Sequence, residues 1–73
     1  MEVKMVNVES SCIVSIGHNE ETSELYVKFK SGKTYMYPNC SKTLYENFMN
    51  SNSKGQFLNN YFVGSKYVKV NWG

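Results

Sequence analysis

The sequence predicts an α+β domain: a three-strand antiparallel meander, two short helices, and a closing C-terminal strand. Three observations carry this. Glu24–Tyr37 reads ELYVKFK-SG-KTYMY, in which Leu25, Val27 and Phe29 alternate with Tyr26, Lys28 and Lys30 before a Ser-Gly turn and a second β-rich run. Downstream, Leu44, Tyr45, Phe48 and Met49 recur at helical spacing, as do Phe57, Leu58, Tyr61 and Phe62. The end alternates again, Val68, Val70 and Trp72 against Tyr67, Lys69 and Asn71.

Taken in order, Met1–Glu9 carries Val3, Met5, Val6 and Val8 and reads as a short edge strand or as an arm onto a partner. Ser10-Ser11 breaks it. Cys12–His18 is the first meander strand, with Cys12, Val14, Ile16 and His18 on one face and Ile13, Ser15 and Gly17 on the other. The polar stretch His18–Thr22 turns into the hairpin at Glu24.

The hairpin has two registers. With Lys30-Ser31-Gly32 as a three-residue loop and Gly32 left-handed, Phe29 faces Lys33, and Leu25, Val27, Phe29, Tyr35 and Tyr37 share one face. With Ser31-Gly32 alone as the loop, Tyr35 and Tyr37 move out beside Tyr26 and Lys28 as an aromatic and basic platform, because a one-residue slip flips every side chain. A lone glycine in second place fits the three-residue loop better. Pro38, which has no ladder donor, ends the strand. Ser41 is the expected N-cap of a helix over Lys42–Met49, and Ser53 that of a helix from Lys54 to about Phe62. Gly64-Ser65 stops the second helix, and Lys66–Trp72 forms the closing strand, with Trp72 on the core or in a neighbouring protomer.

The chain has 73 residues, enough for a single domain over 1–73. A chain of this size buries only about 60% of its unfolded surface, so its core is small and a homo-oligomer would help to stabilise it. Net charge is +2, and all 8 basic residues are lysine. Without arginine, bidentate recognition of phosphates or base edges is weakened. Cys12 and Cys40 make no disulfide scaffold, no apolar run is long enough to span a membrane, and the start MEVKMVNVES does not resemble a signal peptide. The expectation is a cytoplasmic protein with reduced thiols and no membrane association.

Catalytic groups are sparse. His18 is the one histidine, and Cys12 lies six residues from it on the same strand, about 20 Å away at strand rise. One histidine and two separated cysteines do not make a standard metal site. No metal or cofactor is expected, and no enzyme activity.

Binding chemistry is better represented. Tyr26, Tyr35 and Tyr37 can stack on a base, with Lys28 or Lys30 near a phosphate, although strand packing also accounts for tyrosines in a sheet. Ser53, Lys54 and Gly55 open a helix whose free amides favour an anion, and ordinary capping accounts for them as well. Asn59, about a turn further on, can bond a ribose or base, or satisfy backbone groups.

Ser10-Ser11, Ile16-Gly17, Leu25-x-Val27-x-Phe29, Gly32, Tyr35-x-Tyr37, Tyr45 and Ser53-x-Gly55-x-Phe57-x-Asn59 together resemble the KTSC family, over roughly Val8–Val70. That small domain is named for the C-terminus of some lysyl-tRNA synthetases and also stands alone in bacterial and phage proteins. The resemblance implies RNA binding by association with the synthetase. It makes Tyr35 and Tyr37 one motif, and Ser53, Gly55, Phe57 and Asn59 the other. The chain departs from the pattern at His18, where members often carry an aromatic residue. It departs again at Gln56 and Val63, where many carry arginine, and at Asn39-Cys40-Ser41, where a Pro-rich helix start is common.

The resulting expectation is a non-enzymatic module that binds a small nucleotide-type ligand at Tyr26, Lys28, Tyr35, Tyr37, Ser53, Lys54, Gly55 and Asn59. Such a protein, encoded by a phage, would sequester a nucleotide immune signal of the host. The alternatives are an RNA-binding module and a structural or protein-interaction domain.

Overall fold

In the computed structural model, residues 3–62 and 67–70 are described. Five strands form one antiparallel sheet in sequence order: β1 (Val6–Asn7), β2 (Ile13–Asn19), β3 (Glu24–Phe29), β4 (Thr34–Tyr37) and β5 (Val68–Val70). Helices α1 (Lys42–Met49) and α2 (Lys54–Phe62) lie between β4 and β5 in the chain. The α+β class stands. Four strands rather than three precede the helices, because Val6 and Asn7 pair with Ile16 and Ser15 and so extend the meander by an edge strand. The expected roles of Gly64-Ser65 and Trp72 fall outside the described residues.

The hairpin adopts the three-residue loop. Leu25 pairs with Tyr37, Val27 with Tyr35 and Lys28 with Thr34. Phe29 N–H donates to the Lys33 carbonyl at 2.8 Å, and Gly32 N–H donates to the Phe29 carbonyl at 2.9 Å. Gly32 has φ of 92°, a conformation that an L side chain resists and glycine accepts.

This register sets the two faces. Leu25, Val27 and Tyr37 join Ile13, Ile16, Cys40, Phe48 and Leu58 in the buried core, with Val8, Phe29, Tyr35, Leu44, Tyr45, Met49 and Phe57 packed around it. Both helices therefore cover this face. The strict alternation expected along Cys12–His18 fails at its start. Ile13 pairs with Phe29, yet Ser15 pairs with Lys28, so Val14 is an extra residue at a bulge. The bulge puts Ile13 on the same core face as Ile16, where both are fully buried.

Helix α1 starts where a cap is available. Ser41 Oγ accepts from Leu44 N–H at 3.1 Å. The side chain that shapes the start of α2 belongs to Ser51. Its hydroxyl accepts from Ser53 N–H at 3.2 Å and donates to the Ser53 carbonyl at 3.0 Å. Ser53 contributes the first helical carbonyl, accepting from Phe57 N–H at 3.0 Å. Phe57 then stacks on Phe48 of α1, ring centroids 5.2 Å apart, and couples the two helices.

Candidate functional site

An open depression of about 440 Å³ lies at the loop end of the β3–β4 hairpin, lined by Ser11, Cys12, Phe29, Lys30, Ser31, Lys33 and Tyr35. Two segments meet there. Lys30 N–H donates to the Cys12 carbonyl at 2.9 Å, which ties the hairpin loop to the start of β2. Ser10 Oγ accepts from the Cys12 and Ile13 amides, each at 3.3 Å, and orders the turn before β2. The wall is aromatic. Phe29 and Tyr35 meet edge to face with centroids 5.5 Å apart, and Tyr35 meets Tyr67 in the same way at 4.9 Å. The rim is basic, since Lys30 opens the loop, Lys33 follows it, and no carboxylate lines the depression among the described residues. Among the described residues the ion pair formed is Lys42 to Glu20, at 3.3 Å, and neither Lys30 nor Lys33 takes part in one.

Of the residues expected to bind, the fold brings few together. Tyr35 lines the depression half-buried. Gly55 stands behind it: a Cβ there would meet Cys12 Sγ at 3.1 Å, so the start of α2 abuts a lining residue. Lys54 turns back to its own loop, its Nζ donating to the Ser51 carbonyl at 2.5 Å. Ser53, just before α2, and Asn59, on it, are exposed.

The other three face elsewhere, and the register is the reason. Tyr37 is only 8% exposed on the core face, and burial raises its phenol pKa, with lesser contributions from Tyr35 and Tyr67. Tyr26 and Lys28 project from the opposite side of the sheet, where Tyr26 pairs with Gly17 and Met36. Tyr26 is likewise 8% exposed and donates to Glu24 Oε1 at 3.1 Å. Burial raises its pKa first, and Glu24 adds to the shift. An outward platform of Tyr26, Lys28, Tyr35 and Tyr37 therefore does not exist. Ser11, Cys12, Phe29, Ser31 and Lys33 replace it, together with Lys30. The sequence signal for them was the three-residue loop itself, which fixes Phe29 opposite Lys33.

A second polar cluster sits at the other end of the core face. His18 Nε2 lies 2.6 Å from the Cys40 carbonyl, and its ring stacks on Tyr45 with centroids 4.9 Å apart and 12° between planes. The Cys40 amide donates to the Ser23 carbonyl at 2.8 Å, so this cluster clamps two loops. Burial pushes the Cys40 thiol up to about 11 and keeps it protonated at neutral pH. Among the described residues no group of three or more His, Cys, Asp or Glu could hold a metal ion, and no helix is long and apolar enough to cross a membrane.

The family model for the KTSC domain matches residues 9–67. The crystal structure of a KTSC domain protein from Yersinia pestis is similar to this chain with a TM-score of 0.85 and 30% sequence identity, covering 99% of this chain and 100% of that one. No curated protein matches the sequence.

Proposed function

The chain belongs to the KTSC domain family, and we propose that it is a non-enzymatic module whose hairpin-end depression binds a small nucleotide-type anion. One observation carries the proposal: Lys30 and Lys33, with no ion-pair partner among the described residues, share a single open depression with the Phe29–Tyr35 wall. Lysines supply point charges for phosphate, and aromatic walls supply apolar surface for a base. The non-enzymatic part rests on the fate of the reactive groups. The one histidine is committed to a backbone carbonyl, and one of the two thiols is buried and held protonated. The role we attach to binding is capture of a nucleotide signal, the use a phage would have for such a protein, with oligomerisation as the means of enclosing an open depression.

Native mass spectrometry of the protein, alone and with mononucleotides, cyclic dinucleotides, cyclic trinucleotides and ADP-ribose derivatives, tests this directly. The expected result is a retained nucleotide mass, unchanged over hours, that is weakened at least tenfold in the Lys30→Ala, Lys33→Ala double variant. Binding of none of these compounds sinks the proposal. A single-stranded RNA that binds where free nucleotides do not, with a salt slope of roughly −0.7 per phosphate engaged, would transfer the site to RNA recognition.

A further inference from the structure

The aromatic wall does not stop at Tyr35. Phe29, Tyr35 and Tyr67 form a continuous row across three neighbouring segments, with successive centroids 5.5 and 4.9 Å apart. Tyr67 also approaches Tyr37, at 6.0 Å and 44°. Despite these two ring contacts, Tyr67 is 58% exposed. Much of its surface is therefore presented outward, at the end of the row remote from the hairpin loop. The β4–β5 register adds a charge. Lys69 pairs directly with Tyr35 and so stands on the same face of the sheet as that ring. Lysines consequently occur on both sides of Tyr35: Lys30 and Lys33 at the loop, Lys69 on the adjoining strand.

We propose that Tyr67 and Lys69 complete the binding site, and that its ligand is a nucleotide with one free base face, stacked on Tyr67, and a phosphate held by Lys30 and Lys33. This rests on the nucleotide reading of the depression and specifies its orientation: base toward β5, phosphate toward the hairpin loop. The row of rings runs in that direction, and the charge at the loop marks the phosphate end. Lys69 lies beside the middle of the ligand and adds to the positive potential that draws the phosphate into the site.

The test compares adenosine 5′-monophosphate with ribose 5-phosphate, which keeps the phosphate and lacks the base, by calorimetric titration at low salt. The wild-type protein should bind the nucleotide more tightly. Tyr67→Ala should weaken nucleotide binding about tenfold, the scale of one base–aromatic stack, and leave ribose 5-phosphate within twofold. Tyr67→Phe should restore the nucleotide preference, and Lys69→Ala should weaken both ligands. In the unaltered protein, the Tyr67 ring proton resonances should shift upfield on adding the nucleotide and stay in place with ribose 5-phosphate. That second readout holds even if a variant misfolds. If the wild type binds the nucleotide but Tyr67→Ala binds it equally well, or the Tyr67 ring does not shift, this orientation is wrong and the depression remains a nucleotide site. If the wild type binds neither ligand, the orientation falls together with the site itself.

Discussion

Gly17 sits beneath the N-terminal segment, and the atoms above it leave no room for a side chain. A Cβ there would lie 2.6 Å from Met5 Sδ, 2.7 Å from Val3 Cγ1 and 3.0 Å from the Lys4 carbonyl oxygen. The two side chains can swing aside, but the carbonyl moves only with the backbone. Gly17→Ala should therefore lift the segment from the sheet and destabilise the protein by roughly 1–3 kcal/mol, as overpacking does. A urea titration checks it, and truncation of residues 1–5 in the same background should remove most of the difference. Gly32 is constrained differently. Nothing lies within 4 Å of a Cβ built there, so Gly32→Ala meets no clash, only the backbone strain of φ 92°. Its expected cost is about 1–2 kcal/mol, measurable in the same titration.

At the scale of elements, the two helices begin in different ways, and their serines should respond differently. Ser41 is a side-chain N-cap, and Ser41→Ala should cost about 1 kcal/mol. For α2 the order expected from sequence position is reversed. The Ser51 hydroxyl makes two hydrogen bonds at that turn, so Ser51→Ala should destabilise more than Ser53→Ala, with the two compared by denaturation midpoint. If Ser53→Ala proves the costlier, Ser53 caps the helix in solution. The β2 bulge is the other local device of consequence. The extra residue at Val14 turns Ile13 inward against Phe29, and Phe29 is one wall of the depression. The bulge thus links core packing to the shape of the site.

For the whole molecule, burial of weak acids makes stability depend on alkaline pH. The Cys40 thiol rises from 9.0 to about 11 through burial, and burial likewise raises Tyr26, Tyr37 and Tyr45 above 10.0. Each group holds its proton more tightly in the folded chain than in the unfolded one. Above pH 9 the unfolded chain therefore loses protons first, and stability falls as pH rises. The stabilisation from Cys40 is complete below pH 9.0 and is lost progressively up to about 11, with a magnitude of roughly 2–3 kcal/mol from a shift of two units. Urea midpoints at pH 8, 9, 10 and 11 should decline over that interval, and Cys40→Ala should flatten the decline while lowering stability throughout. A midpoint that stays level to pH 11 would show that these groups are solvated in the native state.

Local patterning was sufficient for most of the fold. Period-two alternation located β2 to β5 but left the N-terminal segment as edge strand or arm, period-3.6 spacing gave both helices with the bounds observed for α1, and Ser41 was recognisable as a cap. These features were legible because each is decided by residues within a few positions of one another. The site was much less legible. Tyr35 and Gly55 converge on the depression through Cys12, whereas Tyr26 and Lys28 lie across the sheet, Tyr37 is in the core, and Lys54 bonds its own loop. Those outcomes depend on a register that a one-residue difference in loop length inverts, on a bulge at Val14 that alternation does not reveal, and on the meeting of Cys12 with Lys30, eighteen positions away. The physical reason is that periodicity says which side chains share a face of one element. Which faces are then covered, and which charges are left over an open depression, is decided only when separate elements pack.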